Sequence, residues 1–436
     1  MKSRALLLGL AAGVASLPAA AGVEDTFGLG PRAMAVGGAY TARGGDFAAA
    51  YYNPAGLAPA EETSRKGGFF ELGLAYLYAK PSLHVTRDDG AEIPTPGVPT
   101  STGVLLGSRY SIGQPFGLDG LNMGFSVYVP EHLFRWTIRP DDDVVWGFLT
   151  DRTQVVTANA SIGFRVTPWL SLGAGLRVLF DVQTLTRGRV TSVEYDEASG
   201  KVRTHTELGT DAQVYGRVAP LAGLLVTPLP ELSLGVSYRH KSYVDDWGDT
   251  RISDVPILSN MGYTHRFAHY FEPSTLTFGV KAGLGAAVDA SLDVAWARWG
   301  EALSTNQNAF ASPVYGDTWT PAAGARFRVS DALTTALGYR FQKSPVGNFG
   351  GPSNVLDNDR HVASLGLESE LSRWLSPKVD ARLSLAVQEI ILVERSETKD
   401  FRRFASDEAL EKNPGYPGYS HGGSVLALSL GIEGRW

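Results

Sequence analysis

Val425-Leu-Ala-Leu-Ser-Leu-Gly-Ile-Glu-Gly-Arg-Trp436 alternates without a break. Leu426, Leu428, Leu430, Ile432 and Trp436 share one face, and Ala427, Ser429, Glu433 and Arg435 share the other. Successive side chains of a strand point to opposite sides, so this segment separates two environments. It is long enough to cross a bilayer when tilted and it stops on an aromatic residue. It therefore predicts the closing strand of a transmembrane β-barrel.

The same division recurs upstream. Leu170, Leu172, Leu176, Val178 and Phe180 alternate with Ser171, Gly173, Gly175, Arg177 and Asp181. Val288, Leu292, Val294 and Trp296 alternate with Asp289, Ser291 and Asp293, and Leu333, Leu337, Tyr339 and Phe341 with Thr334, Gly338, Arg340 and Gln342. A soluble antiparallel sandwich shows such faces too, so the connections decide. Short ones fall near 113–120, 167–168, 227–230, 283–285, 330–331 and 372–378, and long ones near 81–101, 130–151, 184–205, 240–271, 300–316, 345–358 and 396–422. Short and long take turns, as periplasmic turns and outer loops do. The fold class is thus all-β, an antiparallel transmembrane barrel of about fourteen strands over residues 67–436. Such a barrel is too wide for side chains alone to fill, so its lumen requires water, a plug or both.

The amino terminus reads as an export signal over residues 1–21. Lys2 and Arg4 precede an apolar run from Ala5 to Leu17, and Pro18-Ala-Ala-Ala21 offers a cleavage site after Ala21. Its removal moves the formal net charge from −6 to −8 by taking away Lys2 and Arg4, which excludes a basic nucleic-acid surface and makes nucleic acid no partner. No later segment has the roughly 18 uninterrupted apolar residues of a spanning helix, so an exported membrane protein must cross by strands. The absence of cysteine removes disulfides, thiolate metal sites, a cysteine nucleophile and a lipid-modified amino-terminal Cys. Fifty glycines with 9 Trp, 17 Tyr and 19 Phe suit strands that pack closely inside and carry aromatic girdles outside.

Residues 22–66 do not alternate. Their small residues (Ala33, Gly37, Gly38, Ala39, Ala42, Gly44, Gly45, Ala48 to Ala50) permit tight backbone packing, Pro54 and Gly56 impose turns, and Tyr40, Phe47, Tyr51, Tyr52 and Leu57 need a dry place to sit. A compact plug folded back into the lumen is the reading. Gly28-Leu-Gly-Pro-Arg32 through Gly37, Gly38 and Ala42, then Asp46 and Ala50-Tyr-Tyr-Asn-Pro-Ala-Gly-Leu57, resembles the amino-terminal hatch of FadL-type outer-membrane transporters, with Asn53-Pro54-Ala55 its most specific piece. The resemblance continues through Trp169–Gly175, Pro273–Val280, Leu292–Trp296 and Asp357-Asn-Asp-Arg-His361 and fades in the outer loops. It implies a fourteen-stranded barrel in the bacterial outer membrane, blocked by the hatch. It also implies passive uptake of fatty acids or hydrocarbons, gating at the hatch, and lateral release beside an inward-kinked strand. Partners would be hydrophobic small molecules, outer-membrane lipid and the barrel assembly machinery, with no cofactor.

The residues suggest where such chemistry sits. Leu133, Phe134, Trp136, Trp146 and Phe148 crowd one outer loop beside Arg135 and Arg139, unusually apolar for an exposed connection. They are candidates for a capture groove with an arginine for a head group, against the alternative of loop-on-loop packing. Arg177, Arg326, Arg340, Asp289 and Asp293 lie on polar faces and are candidates to tether the hatch, or simply to line a wet lumen. Pro54 fixes a backbone angle and Asn53 can bond locally or to a neighbouring strand. No enzyme motif stands out: the histidines are scattered, His265 and His269 fall in an expected loop, Asp141 to Asp143 reads as a solvated acidic run, and the 28–45 glycines lack the Lys-Ser/Thr of a phosphate cradle. The other readings are a general porin for polar solutes and a structural or adhesive surface barrel.

Overall fold

The computed structural model describes residues 22–58, 69–91, 93, 98, 100–113, 118, 120–131, 144–146, 155–196, 201–253, 261–302, 315–347, 350–351, 354–374, 380–402 and 406–436; for 181–215, 244–253, 261–270 and 409 it describes the backbone alone. The expected export signal and all of the apolar outer-loop candidates except Trp146 fall outside these residues.

The strands in chain order are β1 (Phe70–Arg87), β2 (Ser101–Ser111), β3 (Leu121–Pro130), β4 (Val144–Val145), β5 (Thr157–Thr167), β6 (Leu170–Asp196), β7 (Lys201–Leu229), β8 (Leu232–Arg239) and β9 (Ser242–Ser253). There follow β10 (Met261–Glu272), β11 (Thr275–Gly283), β12 (Val288–Ala297), β13 (Thr318–Arg328), β14 (Leu333–Gln342), β15 (Asn354–Val355), β16 (Arg360–Glu370), β17 (Ala381–Thr398) and β18 (Gly418–Arg435). Leaving aside β4, β9, β10 and β15, each strand pairs antiparallel with the next, and β18 pairs with β1. Fourteen strands thus close into a barrel in which every strand pairs with a neighbour on each side.

Alternation sets the faces as read from the sequence. Leu292 is 61% exposed and Leu430 52%, while their neighbours Ser291, Asp293 and Ser429 are buried. Leucines at such exposure, repeated around the wall, form the lipid face. Aromatic pairs mark its two borders. Phe70 packs on Trp436 and Tyr110 at the end of the short turns, and Trp296 stacks on Trp319 at the other.

Several segments expected as long loops are partly strand. β6 and β7 stay paired out to Asp196↔Lys201, across most of 184–205. The stretch 240–271 contains β9 and β10, and β9 pairs in parallel with the outer half of β6 over Thr184↔Gly248 to Arg189↔Ser253. β1 runs on to Arg87, and β17 and β18 meet as far as Thr398↔Gly418. The physical reason is that backbone ladders persist wherever two chains run side by side, whereas side-chain alternation weakens where both faces are wet.

The described amino-terminal segment occupies the lumen. It is built of short turns of helix: α1 (Val23–Thr26), α2 (Gly30–Ala35), α3 (Ala49–Tyr52) and a 3-10 turn (Pro54–Leu57). Pro31 opens α2, and Gly37 and Gly38 (φ +65° and +81°) close it, with Gly38 N–H donating to Ala33 O at 2.9 Å. That left-handed backbone is what glycine permits after a helix.

Replacing Leu430 by Arg puts a charge near the middle of the lipid face and is expected to cost about 2–4 kcal/mol of assembly stability, whereas Leu430→Ile leaves it nearly unchanged. Urea titration of refolding into vesicles measures both.

Candidate functional site

The hatch touches the wall through glycines. Gly73 and Gly107 face the Phe47 ring, Gly124 faces Leu57, Gly163 and Gly173 face Pro54, and Gly223 faces Asn53. Around the other side Gly235 and Gly279 face Thr41, Gly324 and Gly338 face Val36, Gly366 faces Ala35 and Gly431 faces Pro31. A Cβ at Gly173 would lie 2.3 Å from Ala55 N, and one at Gly338 would lie 2.1 Å from Gly37 N. The belt uses glycine because hatch backbone or a hatch side chain comes so close at these positions that a methyl group does not fit.

Asn53 is the point where hatch and wall share hydrogen bonds. Its Oδ1 accepts from Ala55 N (3.1 Å), capping the 3-10 turn that Pro54 opens. Its Nδ2 donates to Thr41 O (2.8 Å) within the hatch and to Leu224 O (3.0 Å) on β7. The side chain is fully buried, so losing it leaves carbonyls without a donor in a dry place.

Two sets of ion pairs hold the ends of the hatch. In α2, Arg32 meets Asp46 (2.7 Å), Glu368 on β16 (3.3 Å) and Glu433 on β18 (3.6 Å). Tyr40 Oη donates to the same Asp46 carboxylate. Burial alone would raise the Asp46 carboxyl, but the Arg32 guanidinium and the Tyr40 hydroxyl outweigh it and hold the group below the ordinary carboxylate value. In α1, Glu24 pairs with Arg177 (2.9 Å) and Asp25 with Arg239 (2.8 Å), while Tyr51 Oη donates to Asp25 (2.6 Å).

The five candidate lumen charges all meet this assembly. Arg177 binds Glu24 and also pairs with Glu272, and Arg340 donates to Thr26 O (2.7 Å). Asp289 pairs with Arg43 (2.5 Å), and Asp293 accepts from the backbone N–H of Tyr40 (3.0 Å) and Thr41 (2.8 Å). Arg326 reaches the hatch one step removed, through Glu368 (2.8 Å). Gly28 (φ +106°), Gly37 and Gly38 serve the hatch backbone itself.

The inner wall is not polar throughout, contrary to the expectation from alternation alone. Leu105, Val362, Ile390, Leu392 and Val425 point inward and are buried, in one apolar cluster with Phe27 and Leu29 of the hatch and with Val144 and Trp146 of the outer side. Trp146 was a candidate for an open capture surface. It is instead 1% exposed and packs edge-on against His421, directly after the two-residue β4 that pairs with β15. The other residues of that groove, Leu133, Phe134, Arg135, Trp136 and Phe148, lie outside the described residues. A small lumenal cavity of about 90 Å³ is lined by Thr275, Thr277, Thr318, Thr320, Arg340 and others.

Sequence reasoning missed Glu24, Asp25, Glu368, Glu433 and the glycine belt. The glycines left a signal, one per strand at inward positions in most strands; the acidic residues left none, because their partners are hundreds of residues away.

The profile of the outer membrane protein transport protein family (OMPP1/FadL/TodX) matches residues 11–411. The chain belongs to this family. Its members are transporters of hydrophobic compounds in the bacterial outer membrane, not enzymes. Among solved structures it is similar to a Pseudomonas aeruginosa FadL homologue, at 16% identity and TM-score 0.56 over 97% of this chain and 99% of that one. The P. putida toluene transporter TodX matches at 15% identity and TM-score 0.57 over 94% and 99%. The Ralstonia pickettii toluene transporter TbuX matches at 14% and 0.54, again over 94% and 99%. A search of curated proteins finds no match.

Two substitutions test the belt. Gly223→Ala places a methyl group 1.9 Å from Asn53 Oδ1 and Gly338→Ala displaces Gly37, whereas at Gly283 the nearest atom is 3.5 Å away. The first two are expected to raise single-channel conductance in planar bilayers and Gly283→Ala to leave it unchanged. Arg32→Ala removes one shared cation from three carboxylates that keep other partners, Arg326 and Arg382 at Glu368, Arg382 at Glu433 and Tyr40 and Ala48 N–H at Asp46, and is expected to loosen the hatch by about 1–3 kcal/mol, read as hatch proteolysis in the intact barrel.

Proposed function

We propose that this transporter conducts fatty acids or hydrocarbons passively, with the hatch as its gate. The observation that carries the reading is the apolar lining above the hatch. A general porin keeps its lumen polar and wet, but here inward Val362, Ile390, Leu392 and Val425 join the hatch's own Phe27 and Leu29 in a dry cluster. An apolar solute finds there what the polysaccharide outside denies it.

Gating follows from the same contact. Phe27 and Leu29 fill the lining, so a solute that takes their place removes part of what holds the hatch, leaving the Asn53 bonds and the ion pairs to bear it. Such a solute binds the displaced arrangement better and so shifts the population toward it. The hydrocarbon part of this reading agrees with the names of TodX and TbuX, both toluene transporters. The unusually apolar loop holding Trp136 and Phe148 would gather the solute outside.

Proteoliposomes decide between readings. Oleate and toluene are expected to enter faster with the protein than without it, while glucose produces no swelling. Rapid swelling in glucose with no gain for oleate or toluene overturns the proposal in favour of a porin. Trp136→Ser with Phe148→Ser is expected to slow uptake from dilute solution and leave the folded barrel intact by heat-modified gel mobility.

A further inference from the structure

Arg340 is a buried cation without an anion beside it. Five arginines are buried among the described residues: Arg43, Arg109, Arg177, Arg340 and Arg360. Four of them meet a carboxylate, Arg43 that of Asp289, Arg109 that of Glu71, Arg177 that of Glu24 and Arg360 that of Asp357. Arg340, 5% exposed, meets none among the described residues. Its Nη2 donates to Thr26 O of the hatch (2.7 Å), and its Nε has no partner. An uncompensated buried charge is strongly destabilising, so this side chain calls for a counter-ion.

The counter-ion has a place. Arg340 lines the lumenal cavity of about 90 Å³ together with Tyr52 of the hatch and Thr277, Thr318 and Thr320 of the wall. The three threonine hydroxyls make no side-chain hydrogen bond among the described residues. Tyr52 Oη accepts from Leu29 N–H (3.3 Å), and its own proton finds no acceptor among those residues. Where one water needs roughly 10–15 Å³ of such space, this cavity takes an anion of a few heavy atoms and not an acyl chain.

The carboxylates around the cavity are engaged elsewhere. Glu24 and Asp25 also line it, but Arg177 takes the first and Arg239 the second. Asp293 lies two strands from Arg340 along the row Asp293↔Ala322↔Arg340, about 10 Å away at the Cα atoms for a strand spacing of ~4.8 Å. Its Oδ2 is turned to the backbone N–H of Tyr40 and Thr41. Lys343, exposed, adds a second cation to the lining.

We propose that this cavity binds a small monovalent anion, a halide or a carboxylate of one or two carbons, and that the bound ion latches the hatch shut. The ion sits between the Arg340 guanidinium and the hydroxyls of Thr277, Thr318 and Thr320. The arginine that takes it is the one that holds Thr26 O, and Nη1 of the same guanidinium lies beside Gly38 at the end of α2. With the ion in place the charge is satisfied inside the lumen. Without it, water in the bore competes for the guanidinium and draws it away from Thr26. Latching needs no transported solute, so it stands apart from the transport reading.

Trypsin reads the latch, because Arg32 and Arg43 lie inside the hatch and are cut only when it opens. The intact protein in detergent is digested in sodium gluconate, with bromide replacing gluconate at constant ionic strength, and cuts after Arg32 and Arg43 are followed by mass spectrometry. At about ten times its dissociation constant bromide is expected to slow these cuts about tenfold, since a ligand held only by the closed hatch divides the open fraction by 1 + [L]/Kd. Arg340→Gln is expected to lose the dependence. That variant also weakens the hold on Thr26, so Thr277→Val with Thr318→Val, which keeps Arg340, is the second arm and is expected to need about tenfold more bromide. Formate is expected to act as bromide does and hexanoate to have no effect; equal protection by hexanoate assigns the site to the head of a chain-bearing solute and overturns the small-ion latch. Anomalous scattering from crystals grown in bromide is expected to place an ion on the Arg340 guanidinium. An ion there with no slowing of the cuts is an adventitious ion only and overturns the latch, as does cutting of the unsubstituted protein that ignores bromide.

Discussion

In hydrocarbon no water is present to satisfy a backbone N–H or C=O, and the rest of this structure follows from that requirement. The sheet has to close, and it does so after fourteen strands, β18 returning to β1 from Glu71↔Arg435 to Arg87↔Tyr419. Closure at that number leaves a bore too wide for wall side chains to fill. The bore is filled by chain instead, and the filling chain brings its own peptide groups, which need partners in turn. Asn53 provides several at once, and Asp293 provides two more by accepting from Tyr40 and Thr41. The place where the requirement is relaxed is the outer end of β13. There Pro321 has no donor to leave unsatisfied.

Seating the hatch is a balance of two forces with different reach. Close packing against the glycine belt is short-ranged and all or nothing, since a few tenths of an ångström decide whether backbone meets backbone. The ion pairs at its two ends are costly to desolvate and strong only when complete. Arg32 with Asp46, Glu368 and Glu433 ties one end, and Glu24 and Asp25 with Arg177 and Arg239 tie the other. On the gating proposed above, such a plug would yield when something apolar competes for the lining that Phe27 and Leu29 cover.

Much of the fold was legible from side-chain period alone. The faces of β6, β12, β14 and β18 read correctly because lipid on one side and the lumen on the other impose opposite chemistry at every second residue. The outer ends of β6 and β7 were not legible, because the ladder there is kept by backbone bonds that carry no residue signature. The apolar inner wall at Val362, Ile390 and Val425 escaped for a related reason. An apolar residue on the inward phase reads as a lapse in the pattern until the hatch is seen to cover it.

What the sequence determined by itself is local: which residues face lipid, where the short turns fall, and that Pro54 and Gly56 turn the chain of a small-residue plug. Tertiary structure alone decided which glycine receives which hatch residue, which carboxylate on β16 or β18 meets Arg32, and that the β13–β14 ladder ends at Ala322↔Arg340. These are contacts between chain segments tens to hundreds of residues apart. They exist only once the register around the whole circumference is set, because one closing pair of strands positions all the others.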